Sequence, residues 1–251
     1  MSTLERHVAV EIAVQDLDGV RVAIKEGAER IELCQALGVG GLTPSIGLVM
    51  AAVRAADEAG LTNFVHVLVR PREGGFVYSP GEVEVMLGDV LALEAAGAAG
   101  VVVGALQGDR SIDLETTARF VESAGDLEVT FHRAFDASLK PLEGIDALAE
   151  AGVRRVLTSG QARSSIDGVP MLSKLVEHAA GRVEIMAGGG VTVDAIPELV
   201  GSGVDAVHLS AKRPSGRLTE TGPGGGSAAY DVTDATTVAR AVAAVRRSIR
   251  S

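Results

Sequence analysis

The chain has 251 residues, of which 47% are hydrophobic and 22% are charged, and its formal net charge is −10. This composition excludes a disordered chain, and the single cysteine excludes both an intrachain disulfide and a zinc site built from cysteines. The acidic charge and the aromatic content of only 3% argue against a nucleic-acid-binding surface, which needs a basic face and stacking platforms.

Eight runs rich in Val, Ile and Leu follow one another along the chain, and each predicts a β-strand. In chain order they cover residues 8–14, 30–34, 64–70, 100–105, 128–133, 155–160, 183–187 and 206–211. A helical stretch ends at a glycine before each of the last seven, as is typical of the residue just past a helix. These glycines are Gly27, Gly60, Gly97, Gly125, Gly152, Gly181 and Gly203. The repeat of about 30 residues has the size of a βα unit.

Three helix starts are also marked in the sequence. Ser79 and Glu82 form a Ser-x-x-Glu capping pattern, with Pro80 at the first helical position. Asp113 and Thr192 stand where N-caps are needed for the helices after the fourth and the seventh strand.

Eight βα units in 251 residues predict an α/β protein with a single (β/α)8 barrel, or TIM barrel. The alternative is an open doubly wound sheet, which would carry a glycine-rich dinucleotide motif at its first turn. Residues 14–17 form that turn here and contain no glycine. No linker rich in Pro, Gly or Ser divides the chain, so we expect one domain over residues 1–251.

Two connections are longer than is usual between a strand and the next helix: residues 35–45 after the second strand and residues 212–230 after the eighth. Both would lie at the C-terminal ends of the strands, where barrels of this kind place their sites. The second is rich in glycine and is either a mobile lid or a tolerated surface insertion.

Polar side chains at the predicted strand ends would line a shared pocket. Glu32, Arg70 and His132 are the candidate catalytic residues, with Glu32 and His132 sharing general acid–base work. A charged residue in a strand that is covered on both faces has to be paired inside the barrel. A structural layer of ion pairs that includes Glu11 is therefore the alternative.

A second set of residues predicts anion binding. Arg70 and Arg72 would clamp the anion, because guanidinium groups match phosphate and carboxylate geometry. Three consecutive glycines precede the helix capped by Thr192, and free backbone N–H groups at such a place suit a phosphate; a tight turn is the alternative. The expected anion ligands beside the two arginines are Ser159, Gly188, Gly189, Gly190 and Ser210.

Metal-binding motifs are sparse. The five histidines show no HxH or HExxH spacing. Copper(I) prefers thiolate and thioether ligands, and Cys34, with Met186 on the seventh strand, is the local supply of them. Cys34 is thus the candidate metal ligand, although a lone cysteine in a strand is often only a small buried apolar residue.

No targeting segment is visible, since Glu5 and Arg6 interrupt the start of the chain. Residues 95–108 form an uncharged, mostly apolar run, which is shorter than the roughly 20 residues of a membrane span. We therefore expect a cytoplasmic protein without a membrane partner.

Nine sequence blocks together resemble the CutC family, proteins that are named for copper homeostasis and are unrelated to the choline lyase with the same label. The blocks are GAERIELC (27–34), GGLTPS (40–45), VRPR (69–72), FVYS (76–79), GVVVGAL (100–106), VTFHRAFD (129–136), VLTSG (156–160), IMAGGG (185–190) and HLSA (208–211). The resemblance implies a (β/α)8 barrel and a cytoplasmic role in copper homeostasis.

The resemblance also implies a copper site, since some relatives are thought to bind copper(I) through cysteines. The matching positions in this chain are Cys34 and Ala13, so one of the two sulfur ligands is missing and a two-thiolate site cannot form within one chain. A second departure is Ala187, where relatives more often have Pro.

Two functions follow, and whether the chain is an enzyme stays open between them. The first is copper-ion binding in copper homeostasis. The second is an enzyme that acts on a small anionic or phosphorylated metabolite through the residues given above. The expected partner is accordingly a copper ion or a small anion, and we also expect a homo-oligomer. A non-catalytic scaffold is a third function, but no motif favours it.

Overall fold

Eight parallel strands close into a barrel, because each pairs with the next and the last pairs back onto the first. They are β1 (Ala9–Val14), β2 (Arg30–Leu33), β3 (Val65–Leu68), β4 (Gly100–Val103), β5 (Glu128–Phe131), β6 (Arg155–Thr158), β7 (Glu184–Gly188) and β8 (Ala206–Leu209). The computed structural model describes residues 7–215 and 230–250. The predicted fold is confirmed, and every strand ends within two residues of its predicted range.

Helices follow the strands on the outside of the barrel. They are α1 (Leu17–Lys25), α2 (Ile46–Glu58), α3 (Pro80–Ala95), α4 (Leu114–Ala124), α5 (Pro141–Glu150), α6 (Val169–Ala179), α7 (Ile196–Gly201) and α8 (Ala235–Ser248). The three predicted caps are confirmed: Ser79 and Glu82 form a capping box on α3, and Asp113 caps α4. Thr192 caps a short 3-10 turn that leads into α7.

Glycine has two uses in this barrel. The seven glycines at the helix–strand junctions all have positive φ, from 55° at Gly125 to 101° at Gly203, as helix ends of this type require. Gly100 and Gly104 instead leave room for rings: a Cβ at either would collide with the imidazole of His66 or His132, respectively.

The strands are buried on both faces, but the two faces differ in polarity. Outward-facing side chains such as Ile12 and Val67 are fully buried against the helices and form the main core. Inside the barrel lie two smaller apolar clusters, and the other inward-facing positions hold buried charged residues such as Glu11 and Arg30. The inner clusters contain Ala9, Leu157, Met186 and Ala206 in one case and Cys34, Leu68 and Val102 in the other.

An ion-pair cluster closes the N-terminal end of the barrel. Arg155 is buried at the start of β6 and contacts Glu128 Oε2 at 3.0 Å and Glu184 Oε2 at 2.6 Å. The His66 ring lies beside it, with Nε2 3.3 Å from Asn63 Oδ1. This cluster lies at the end of the barrel associated with stability, and it is built from residues other than Glu11, Glu32 and Arg70.

Both long connections are partly ordered by backbone pairing. Gln35 pairs with Leu42 across the loop after β2. The connection after β8 begins with β9 (Lys212–Pro214), which pairs antiparallel with β10 (Asp231–Thr233). Residues 216–229, which contain most of the loop considered as either a lid or a surface insertion, lie outside the described residues. Among the described residues, no helix is long and apolar enough to span a membrane.

Candidate functional site

An open cavity of about 450 Å³ lies at the C-terminal end of the barrel, where the strand ends and the loops that follow them meet. This volume suits a small ligand. Its lining includes six residues expected from the sequence, namely Glu32, Arg70, His132, Gly189, Gly190 and Ser210. It also includes three polar side chains outside that expectation, namely Arg133, His208 and Lys212.

A row of four ionisable side chains leads from the barrel interior into the cavity, in the order Arg30, Glu11, His208 and Glu32. Glu11 faces Arg30 on β2 and His208 on β8, because β1 pairs in register with both strands. The Arg30 guanidinium binds Glu11 Oε2, and His208 Nδ1 lies 2.7 Å from Glu11 Oε1. On its other side, His208 Nε2 lies 3.6 Å from Glu32 Oε2. Glu11, His208 and Glu32 thus lie in a row across three strands, and His208 and Glu32 line the cavity.

Glu11, Glu32 and His208, the three acid–base groups of this row, differ in the direction in which their pKa values are shifted. Burial alone would raise the pKa of Glu11, but Arg30 and the hydrogen bond from His208 outweigh it and hold that pKa well below its usual range. Burial raises the pKa of Glu32; the charge of His208 opposes this rise and the charge of Glu11 adds to it. Burial would lower the pKa of His208, but Glu32 and Glu11 raise it. Glu11 therefore stays ionised, while His208 and Glu32 are suited to exchange a proton.

His132 is a neutral hydrogen-bond donor in this cavity. Its Nδ1 accepts a hydrogen bond of 3.1 Å from the backbone N–H of Ala134, so the ring proton is assigned to Nε2. Burial lowers the pKa of His132 to about 3, and the nearby Arg70 charge contributes to this shift. Nε2 is buried and has no hydrogen-bond partner within the described part of the chain.

Arg70 is held in the cavity wall by the loops that surround it. Its two terminal nitrogens donate to the carbonyl oxygens of Val39, Gly41 and Gly74 at 2.9 to 3.2 Å. The guanidinium carbon lies 5.5 Å from the centre of the Phe76 ring, and that ring lies 4.8 Å from the His132 ring. Arg70 Nε is buried without a partner among residues 7–215 and 230–250. Phe76 therefore contacts two groups that each retain an unused donor.

The structure does not bring Arg72 into the cavity lining. Its guanidinium binds Glu82 and donates to the carbonyl oxygens of Gly75 and Val77, each at 2.9 Å. The side chain also lies over the Tyr78 ring, 5.1 Å from its centre. These contacts fix the loop between β3 and α3.

Ser159 and Gly188 also lie outside the cavity lining, and each is in contact with a neighbouring residue instead. Ser159 Oγ donates to the Ala162 carbonyl at 2.7 Å and accepts from Arg133 Nη2 at 3.3 Å. Gly188 is the last residue of β7, where a Cβ would collide with Leu157. Ser159 thus supports Arg133, while Gly188 allows close packing inside the barrel.

Gly189 and Gly190 form the turn at the cavity edge. Both have positive φ, 98° and 69°, so the tight turn considered from the sequence is present. The Arg133 guanidinium lies directly over Gly189, where a Cβ would be 2.7 Å from its Cζ. Arg133 Nε donates to Asp136 Oδ2 at 2.8 Å, which fixes the guanidinium over the turn. The Arg133 guanidinium is thus held next to Gly189 at the cavity mouth.

The sulfur chemistry of the chain does not suit a copper(I) site. Cys34 is buried, its thiol contacts the Val14 carbonyl at 3.5 Å, and burial followed by the Glu32 charge raises the pKa of that thiol. Met186 belongs to the other inner cluster, where its sulfur accepts from Arg30 at 3.4 Å. Within the described residues, no group of three or more His, Cys, Asp or Glu side chains could hold a metal ion. Cys34 and Met186 thus lie in different inner clusters, so the second soft ligand that the sequence offered is not beside Cys34.

From the sequence, Glu11 was expected only in a structural layer of ion pairs, and neither His208 nor Arg133 was expected in the site. The signal for the first two was available, because closure of an eight-stranded barrel brings its first and last strands together. Arg133 directly follows His132, and a residue just past a strand end commonly faces the site of such a barrel.

The sequence model described as the CutC family matches residues 8–213. CutC family proteins from Mesorhizobium japonicum and Glaesserella parasuis are 43% and 41% identical over 212 and 204 residues, which cover 84% and 81% of this chain and 80% and 82% of theirs.

Solved structures agree with the sequence match. A CutC protein from Streptococcus agalactiae, named for copper homeostasis, superposes with a TM-score of 0.77 and is 33% identical, covering 81% of this chain and 98% of that one. A thiamine phosphate pyrophosphorylase from Pyrococcus furiosus, 16% identical with a TM-score of 0.60 over 98% of this chain and 99% of that one, shares the fold alone. On the family match and these identities, the chain belongs to the CutC family.

Proposed function

We propose that this protein is an enzyme that binds a small anionic metabolite in the barrel cavity and acts on it by general acid–base catalysis. The observation that carries the proposal is the row of side chains Glu11, His208 and Glu32, which ends at the wall of a ligand-sized cavity. A carboxylate behind an imidazole fixes its tautomer and stabilises its protonated form, as catalytic histidines require. His208 and Glu32 are the proposed proton-transfer residues, and Glu11 is a positioning residue.

Charge at the cavity mouth supports an anionic ligand. The chain carries a net charge of −10, yet the cavity is lined by Arg70, Arg133 and Lys212 with Glu32 as its one carboxylate among the described lining residues. Three cations on the cavity wall of an otherwise acidic protein attract small anions, although Arg133 and Lys212 also pair with Asp136 and Asp231 outside the lining. Arg133, the backbone at Gly189 and Gly190, and Ser210 are the proposed anion ligands, and a phosphate or carboxylate fits their chemistry.

Ligand titration and turnover test this proposal together. Isothermal titration with small phosphorylated and carboxylated metabolites is expected to show binding that Arg133→Gln weakens by about tenfold or more, since a charged hydrogen bond is lost. Arg54→Gln is the matched control, because Arg54 is an exposed arginine on α2 outside the cavity lining. Conversion of a bound metabolite is then expected to fail in Glu32→Gln. Equal affinities for both arginine variants, or no binding at all, would refute the proposal.

Copper binding is the second candidate function, and the family to which the chain belongs favours it. Copper would be the cargo here and Cys34 its ligand, with the thiol giving up its proton on binding. An anaerobic titration with copper(I) tests this candidate. Stoichiometric binding below about micromolar Kd that disappears in Cys34→Ala would establish it. Weak binding that is unchanged in the variant would exclude Cys34 as the ligand. The cytoplasmic location and the homo-oligomer stay predictions.

A further inference from the structure

We infer that the cavity catalyses the removal and return of a proton on the carbon next to a carbonyl group, in a small substrate that also carries a phosphate or carboxylate. The inference rests on the proposed function and adds to it the reaction type and the substrate class. It is carried by one juxtaposition: a histidine–carboxylate pair on one side of the barrel, and two unpartnered hydrogen-bond donors toward the other.

The proton-accepting side is made by the two strands that flank β1. His208 on β8 keeps its Nδ1 proton against Glu11 at 2.7 Å, which leaves Nε2 to exchange a proton. Nε2 lies 3.6 Å from Glu32 Oε2 on β2. A proton that arrives at Nε2 would therefore be held between two carboxylates, and the imidazolium would need no rearrangement to be stabilised.

The donor side is formed by residues that follow β5 and β3. In a closed barrel of eight strands, β5 is four strands away from β1 in either direction, and His132 directly follows β5. Arg70 follows β3, and the Phe76 ring contacts both side chains. His132 Nε2 and Arg70 Nε are both buried without a hydrogen-bond partner in the described chain, which is costly unless a ligand atom completes them. In the inferred complex, the carbonyl oxygen of the substrate accepts from both.

The reaction balances with these groups alone. The C–H bond next to the carbonyl breaks, and its proton goes to His208 Nε2. The electron pair of that bond forms a carbon–carbon double bond while the carbonyl oxygen takes the negative charge, giving an enolate. His132 Nε2–H and Arg70 Nε–H donate to this oxygen. His208 Nε2 can exchange its proton with solvent before it returns one to the same face of the carbon, so the step exchanges hydrogen at that carbon and consumes neither an oxidant nor a reductant.

The protonation state of His132 suits an enolate in particular. Burial lowers the pKa of its ring to about 3, so the ring stays neutral and donates from Nε2 without carrying charge of its own. A neutral imidazole stabilises a developing oxyanion as a hydrogen-bond donor, while a second group performs the proton transfer at carbon. The separation of His132 from His208 gives each histidine one of these tasks.

Hydrogen exchange tests the proton step. The protein is incubated in D₂O with dihydroxyacetone phosphate and, separately, with hydroxypyruvate, and deuterium at carbon is followed by ¹H NMR and mass spectrometry. The wild type is expected to exchange at least one compound about 10²-fold faster than His208→Asn purified in parallel. The Asn side chain keeps a donor for Glu11, and the parallel preparation contains any isomerase carried over from the host. Equal rates in the two proteins would overturn the inference.

A planar enolate mimic tests the donor side. Phosphoglycolohydroxamate is expected to bind at least about tenfold more tightly than glycerol 3-phosphate, since it resembles the reaction intermediate. His132→Asn keeps an acceptor for the Ala134 N–H but removes the donor at Nε2, so it should lose this preference. His132→Gln places an amide donor near the Nε2 position and should retain part of it. A circular dichroism signal at 222 nm equal to that of the wild type shows that each variant is folded.

The outcomes separate the inference from the proposed function. If phosphate compounds bind in an Arg133-dependent manner but neither compound exchanges and the hydroxamate shows no preference, the inference is wrong and the proposed function stands. If no anion binds in the cavity, the proposed function itself fails.

Discussion

Removal of the Glu11 carboxylate should destabilise the barrel strongly. The side chains of Glu11 and Arg30 are only 1% and 7% exposed, and their ion pair lies between β1 and β2 inside the barrel. Glu11→Gln leaves the Arg30 charge buried without a counter-charge, which costs about 3–5 kcal/mol in comparable buried pairs. The same substitution also weakens the hydrogen bond between Glu11 and His208. Because this bond belongs to the same network, its free energy is already part of the cost of about 3–5 kcal/mol.

A double-mutant cycle isolates this effect. Arg30→Met alone should also be costly, because it leaves the Glu11 charge unpaired, whereas Glu11→Gln combined with Arg30→Met leaves no buried charge. The double variant should therefore be more stable than the sum of the single effects predicts, by about 2 kcal/mol or more. The matched control is Glu143→Gln, since Lys140 and Glu143 form a pair at 2.9 Å in which both side chains are at least 70% exposed. Its effect should stay below about 1 kcal/mol.

Urea unfolding followed by circular dichroism at 222 nm is the appropriate assay, since the chain contains no tryptophan for fluorescence. Two results would refute the reasoning. A Glu11→Gln variant within about 1 kcal/mol of the wild type would show that the pair is not desolvated. A strictly additive double variant would show that the two side chains do not depend on each other.

Three further predictions follow from the structure. Gly189→Ala should weaken anion binding more than Gly181→Ala, because both glycines have positive φ but only a Cβ at position 189 meets a guanidinium, at 2.7 Å; equal titration curves would contradict this. Burial lowers the pKa of His66 and of His132 from 6.5 to about 3, so the unfolded state binds more protons between these limits and stability falls as pH falls. His132→Asn should remove up to about 1.4 kcal/mol per pH unit of that slope between pH ~4 and ~6, measured by urea unfolding; an unchanged slope would show that the ring is protonated when folded. Native protein should react slowly with a thiol reagent at pH ~8, and unfolded protein should give one equivalent, because Cys34 is buried and is the only cysteine; fast native labelling would contradict its burial.

The fold could be predicted because the relevant signals are local. Strands that are covered on both faces need continuous apolar runs, such as the one containing Val101 and Val102, and each helix end needs a residue that tolerates positive φ. The strand ends were less accurate, because the last residues of several predicted runs already leave the ladder.

The site could be predicted only in part, because it depends on register and backbone geometry. Arg70 and Arg72 are two residues apart, which would put them on one face of a strand, but β3 ends at Leu68 and the rule no longer holds beyond it. Arg72 instead reaches Glu82 on α3. The donor role of His132 depends on the Ala134 N–H, a contact set by the turn after β5. Neither arrangement is visible in residue spacing.

Closure of the barrel makes the proposed chemistry a late product of folding. His208 and Glu11 are 197 positions apart in the chain, so their hydrogen bond closes one of the longest possible loops in this protein. During synthesis Glu11 and Arg30 emerge early, whereas His208 follows only after nearly the whole barrel. A nascent chain can therefore pair its first two strands yet hold no His208–Glu32 pair, and any truncation before β8 removes the acid–base centre together with the closing strand.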